Sequence, residues 1–268
     1  MSIFRRGLVV SLALAASVIL AQTPELQAAQ SEGSGANQAN AWQLSVLINQ
    51  DRAAQGVAPL KWDPALAEAA RRHCLRMVAE GAIAHRYDDE PSLSERAAQA
   101  GARFSLIEEN VAVGPDPAAI EDAWMHSPGH RANLLNPNVN RVGAAVVASH
   151  GVLYAVTDYA HAVPALKEEQ VEAGIANLMR VSGITVVRGT PAARAACAMS
   201  QGVPASASPG LHLGFIMRWQ GPELNRLPQA LVDKLASGEY REAAVGSCPP
   251  EDQQDGFMAY HIAVLLYY

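Results

Sequence analysis

The chain has 268 residues, half of them apolar and 17% charged, with a formal net charge of −6. That is enough apolar chain for the cores of two modest domains or one large one. A lightly charged, net-negative chain excludes general nucleic-acid binding, which needs a basic face.

The first residues, 1–29, read as an export signal. Arg5 and Arg6 form a basic start, Leu8–Ala21 is an uncharged apolar run, and small residues follow. The run is short for a membrane span, so no transmembrane helix is expected in the mature chain. Cleavage falls after Ala21 or further on, towards Ala29; an uncleaved N-terminal anchor is the alternative. No cysteine follows the run to carry a lipid. The expected location is secreted or periplasmic, an oxidising compartment. Cys74, Cys197 and Cys248 allow one bridge and leave one thiol. Cys197 and Cys248 share the later part of the chain, which pairs them and leaves Cys74 buried and reduced. Gln22–Asn40 is rich in Gln, Ser, Gly, Ala and Asn and reads as a flexible linker, residues 30–40 of it beyond the leader.

A first α+β unit is expected over 41–163. Ala41–Gln55 is helical, with Leu44, Leu47 and Ile48 on one face and Gly56 as its stop. Asp63-Pro64 starts a second helix whose stripe is Leu66, Ala70, His73, Cys74 and Met77, ended by Gly81. His85 follows in a loop. Ser92-Leu93-Ser94-Glu95 is a capping box for a short helix. Glu108–Gly114 is extended. Asp116-Pro117 starts a helix with Ile120, Ala123 and Trp124 inward, and Ser127-Pro128 starts another, with Ser127 as its cap. His130 then lies in a first turn, where the helix dipole disfavours imidazolium. Val142–Ala148 and Val152–Tyr159 form a hairpin around Ser149-His150-Gly151.

A second, smaller α+β unit is expected over 164–268. Glu168–Val181 is a helix and Ile184–Arg188 a strand. Thr190-Pro191 opens a helix carrying Cys197. Leu211, Leu213, Phe215, Met217 and Trp219 alternate onto one strand face. Pro228–Ala236 is helical, and Arg241–Cys248 and Phe257–Tyr268 are strands. Asn49, Arg52, Gly56 and Pro64 resemble Asn177, Arg180, Gly183 and Pro191 in order and approximate spacing. A diverged duplication is one explanation, and shared capping grammar the plainer one.

The motifs of the first unit resemble those of the CAP superfamily (the SCP domain of cysteine-rich secretory, antigen 5 and pathogenesis-related proteins), in its bacterial branch. The resemblance rests on Asn49-Gln50-Asp51-Arg52, Leu60-Lys61-Trp62-Asp63, Ala84-His85, Glu109-Asn110-Val111-Ala112, and Trp124 with Ser127–Leu135. Val142-Gly143 and Thr157-Asp158-Tyr159 complete the order. It covers under half of the chain and implies an α-β-α sandwich with an open cavity lined by His and Glu. In several members the cavity holds a divalent metal such as zinc.

Carried over, His85, Glu109 and His130 match the cavity positions and form the expected metal set. Neutral imidazoles and a carboxylate are ordinary zinc ligands, and three of them leave a position for water. Where eukaryotic members have a second cavity Glu, this chain has Ser127. His126 is a further candidate ahead of the Ser127-Pro128 break. Taken singly, each of these has a plain structural explanation: His85 bonded to backbone, Glu109 satisfying local N–H groups, His130 steadying a helix start. Their joint order favours a shared cavity. His126 to His130 has the His spacing of a zinc-protease helix but lacks its Glu, and Pro128-Gly129 interrupts the helix.

The favoured function is an exported binding protein for a divalent metal or small ligand, with lipid or cell-wall material as the wider partner. The alternatives are a metal-assisted hydrolase with Glu109 as base, and a structural or adhesive module with a vestigial cavity.

Overall fold

The computed structural model describes residues 24–207, 212–249 and 256–268. The expected apolar leader over Leu8–Ala21 and the strand residue Leu211 lie outside the described residues. Asn37–Tyr268 forms one compact unit. Among the described residues no helix is long and apolar enough to cross a membrane.

The first helix, α1, runs Pro24–Ala54, so the linker expected over 30–40 is helical instead. Its Ala, Gln and Glu residues are good helix formers, and Gly33 and Gly35 cost only about 1 kcal/mol each. Past Gly35 the next glycine is Gly56, in the left-handed region at φ 71°.

Side-chain caps set most later helix starts. Asp63 accepts from the Ala65 and Leu66 N–H groups to begin α2 (Pro64–Glu80), and Gly81 ends it. Ser92 and Glu95 form the reciprocal box of α3 (Leu93–Gln99). Asp116 caps α4 (Pro117–His126) through the Ala119 N–H. Ser127, expected as a cap, makes no such bond at the start of α5 (Pro128–Leu134), where Pro128 alone sets the turn. In α4, Ile120 and Trp124 are buried, but Ala123 is exposed and Glu121 is buried. Position 121 shares the three-residue stripe with 124, and position 123 does not.

Four strands complete the first half: β1 (Lys61–Trp62), β2 (Phe104–Gly114), β3 (Arg141–Ser149) and β4 (Val152–Ala162). Their order is β1-β3-β4-β2, with β1 parallel to β3 and the other pairs antiparallel. Alternation sends Val142, Ala144 and Tyr159 to one face, against Leu44, Ile48, Ile120 and Trp124. Ala145 and Val156 go to the other, against Ala70, Cys74 and Met77 of α2. The result is an α-β-α sandwich.

The second half carries α6 (Glu168–Met179), β5 (Thr185–Arg188), α7 (Pro191–Cys197), β6 (Leu213–Gly221), α8 (Gln229–Ala236), β7 (Glu242–Cys248) and β8 (Tyr260–Tyr267). Its sheet order is β5-β7-β8-β6, with β5 parallel to β7 and the rest antiparallel. That is the pattern of the first sheet, strand for strand. Register shifts fall at matching places, between Phe104 and Leu106 and between Leu213 and Phe215. The second shift turns Leu213 away from the face shared by Phe215, Met217 and Trp219, which the simple alternation did not anticipate. A Cβ on Gly143 would overlap the Leu66–Ala67 backbone, and one on Gly246 the Ala193–Arg194 backbone. Each helix therefore lies on a strand glycine, three and four residues past its cap. Buried Leu44 and Ile48 of α1 recur as Val171 and Ile175 of α6. The repeat read from sequence thus has a matching core, as a diverged duplicate would. Its pairing of Arg52 with Arg180 slips by one, because Arg180 is exposed and Met179 is the buried residue.

The bridge Cys197–Cys248 is formed, and Cys74 is free and buried. Burial pushes the Cys74 thiol up to about 12, so it stays protonated and inert. With seven residues against seventeen in α2, α7 buries little, and the disulfide ties its last turn to β7. Cross-linking positions 51 residues apart contributes about 4 kcal/mol in the loop-entropy picture.

Two outcomes follow. Gly143→Ala and Gly246→Ala each force helix and sheet apart, and each costs about 1–3 kcal/mol or more in denaturant unfolding. The second concerns Glu121, whose pKa is pushed up to about 8 by burial and by the neighbouring Asp51 carboxyl. The folded protein keeps this proton to about pH 8, while an unfolded carboxyl releases it near pH ~4.3. Stability therefore falls as pH rises between those values. Glu121→Gln should raise the unfolding temperature at pH 8.5 well above wild type and change it little at pH 4; an equal change at both would refute this.

Candidate functional site

β2 is an edge strand, so elements from both sheet faces meet beside it. From the α2 side comes the loop after Gly81, carrying His85. From the opposite side comes α5, carrying His130. The two imidazole rings are 6.5 Å apart, and the His130 ring is 6.5 Å from that of Trp124.

Arg52 and two asparagines hold α5 in place. Arg52, fully buried, donates from Nη1 to the Leu134 and Asn136 carbonyls and from Nε to Ala58 O. These include carbonyls that the helix end leaves without partners. Asn110 Nδ2 donates to His130 O, and Asn133 Nδ2 donates to Glu109 O and Asn110 Oδ1. The Asn110 and Arg52 motifs thus position the His130 helix.

Glu109 is the centre of the other side. Its side chain is 3% exposed, and both oxygens are engaged: Oε1 lies 3.0 Å from His85 Nδ1, and Oε2 accepts from Arg96 Nη2 at 2.5 Å. Arg96, itself buried, also donates to the His85 and Pro91 carbonyls. His73 is fully buried behind them. Its Nε2 donates to Ala84 O at 2.8 Å, and its Nδ1 lies 2.7 Å from Glu90 Oε1. A carbonyl only accepts, so Nε2 must carry a proton, and the Nδ1–Oε1 contact needs a second one, on imidazole or carboxyl.

Asp158 pairs with Glu109 across β2 and β4 and is fully buried. Neither of its oxygens has a hydrogen-bond partner among the described residues unless one carries a proton. Burial, then the nearby Glu109 carboxylate, push its pKa well above the carboxylate range. Both effects favour the neutral, protonated carboxyl at Asp158.

The pKa values of the two neighbouring imidazoles are driven apart. The Glu109 hydrogen bond raises the His85 pKa against the effect of burial. Burial, then the charge of His85, lowers that of His130. The expected helix-dipole effect has the same direction, but burial comes first.

Of the residues singled out in the sequence, His85, Glu109 and His130 come together. His126 does not join them: it is exposed, with Nδ1 on Asp122 O of its own helix. Ser127 lies half-buried at the junction of α4 and α5. Among the described residues no three His, Cys, Asp or Glu side chains are grouped to hold a metal. Arg96, His73 and Glu90 were missed as site residues. Only the unusual stripe position of His73 hinted at them, because buried charge partners are decided across elements.

An α-β-α sandwich with paired imidazoles beside an edge strand defines the class. Residues 46–159 match the model of the cysteine-rich secretory protein family, CAP. Uncharacterized protein YkwD of Bacillus subtilis (strain 168) is 33% identical over 107 residues, 40% of this chain and 42% of that protein. Uncharacterized membrane protein YlbC of the same organism is 34% identical over 106 residues, 39% and 30% respectively. The chain thus spans less than half the length of these relatives. An extracellular protein containing a SCP domain from Bacillus anthracis str. Ames has a solved structure 25% identical, with TM-score 0.45, covering 53% of this chain and 44% of that one.

Replacing Glu109 tests the electrostatics. Glu109→Gln removes the charge that favours His85 imidazolium, so the His85 pKa followed by NMR should fall. It also leaves the Arg96 guanidinium without its buried partner, which costs about 3–5 kcal/mol of stability.

Proposed function

We propose that the protein is an exported binding protein whose CAP domain takes a divalent metal or a small polar ligand between His85 and His130. The observation that carries this is the facing pair of imidazoles, one of them tied through Nδ1 to a buried carboxylate. Holding Nδ1–H on Glu109 selects the tautomer whose Nε2 lone pair is available outward, the usual carboxylate–histidine support of a metal ligand.

The donor set fits zinc or a similar ion with two protein nitrogens and solvent or ligand oxygens. Glu109, expected as a third ligand, fits better as the orienting group, since His85 and Arg96 take its two oxygens. Zinc–nitrogen bonds of about 2.1 Å require the rings to draw slightly closer than 6.5 Å. When bound, the ion would supply a Lewis-acid centre. This chain's residues fix the imidazoles and hold the Glu109 carboxyl between His85 and Arg96. The engagement of Glu109 favours binding over hydrolysis with Glu109 as general base.

Export is supported by the basic start and apolar run at the N-terminus, and by a disulfide, which persists in oxidising compartments. Lipid or cell-wall material remains the wider partner class of this reading.

Zinc titration by calorimetry at pH 7.5 tests the site. Wild type should bind one ion, and His85→Ala and His130→Ala should each weaken binding by on the order of tenfold or more. Affinity should fall as pH drops through the His85 titration, because the proton competes with the ion. No binding at millimolar zinc, or wild-type affinity in both variants, refutes the metal reading.

A further inference from the structure

The two halves differ most usefully where the chain leaves the edge strand. In the first half, two residues separate β2 from α4. In the second, seven residues, Pro222–Pro228, separate β6 from α8. The repeated core does not require this insertion. It forms one wall of a groove of about 830 Å³ whose other side includes Asn138, from the loop before β3. The groove thus lies at the junction of the two halves, a common place for a ligand cleft, and its volume is in the ligand-pocket range. His85, Glu109 and His130 are not part of its lining.

The wall is held in one shape. Proline at each end limits its backbone freedom. Leu224 and Leu227 pack on the second-half core. His161 of β4 links the two sides: its Nδ1 donates to Asn138 O at 2.7 Å, and its Nε2 lies 3.5 Å from Glu223 Oε1. Asn225 Nδ2 donates to the other Glu223 oxygen. A pre-formed groove loses little ordering entropy on binding.

Its chemistry is specific. Trp219 packs partly on the core and also lines the groove, which presents an aromatic surface. Asn138, Gln220 and Asn225 add planar amides, each with donor and acceptor capacity. Arg226 and Glu223 bring opposite charges that balance. We propose that this groove binds an uncharged oligosaccharide. An aromatic platform takes the apolar face of a sugar ring, and amides match hydroxyls that both donate and accept. The polar lining disfavours a lipid chain, and the balanced charge disfavours a polyanion.

The test is calorimetric titration of the full chain with chitotetraose, cellotetraose and maltotetraose, and with hexaglutamate as a peptide polyanion. Saturable binding of at least one sugar is expected. Trp219→Ala should weaken it by on the order of tenfold or more, and Arg226→Ala several-fold. Arg226 is exposed, so that variant reads binding without disturbing the core, and circular dichroism checks the fold of Trp219→Ala. His85→Ala should leave sugar binding unchanged. No sugar bound at millimolar concentration, binding of the peptide alone, or sugar binding insensitive to both groove variants overturns the proposal. Loss of sugar binding in His85→Ala would move the sugar to the CAP cavity and overturn it as well.

Discussion

A carboxylate on a strand with 3% of its side chain exposed cannot rely on water, and Glu109 is satisfied by a guanidinium and an imidazole instead. Arg96 reaches it from α3 and His85 from the loop after α2. Because the two oxygens are shared between them, three separate segments are fastened at one point. Buried carboxylates are costly unless paired and hydrogen-bonded, so this arrangement tolerates few substitutions. His73 and Glu90 brace the same loop from beneath, and burial, then the neighbouring Glu109 carboxylate, raise the pKa of Asp158. The outward presentation of His85 is the consequence of all these contacts.

The second half shows what the same scaffold becomes without that constraint. Strand order, register shift and strand glycine all recur. At the position of Glu109 stands Arg218, and at that of Asp158 stands Ala263: Gly143 faces Asp158 and Glu109 across the first sheet, as Gly246 faces Ala263 and Arg218 across the second. Arg218 bonds to the Ala196 and Gly202 carbonyls and secures the chain after α7. With α7 short, the extra turns that carry His73 in α2 have no counterpart, and a disulfide takes over part of the lost helix–sheet packing. The scaffold is retained, and the polar centre is not.

Much of the first half was legible from local patterns. Asp63-Pro64, Asp116-Pro117 and the Ser92–Glu95 box marked helix starts, because a cap acts on groups two or three residues away. The α2 stripe of Leu66, Ala70, His73, Cys74 and Met77 is buried as its spacing required. Local patterns failed where the deciding contact was distant. Ser127 has the residue type of a cap and makes no cap bond. The stretch before Asn40 has a loop-like composition but continues α1. Leu213 follows the alternation yet faces the other way, because a register shift in the pairing with β8 turns it.

His85, Glu109 and His130 could be named from the sequence, and so could the pairing of Cys197 with Cys248, because motif order and location along the chain carry that information. Their roles could not. That Glu109 orients His85 instead of standing open, that Arg96 and Asp158 surround it, and that His126 turns back onto its own helix depend on elements far apart in sequence meeting at an edge strand. Residue type and spacing define which groups are available. Burial and charge pairing, which exist only after packing, decide what each group is able to do.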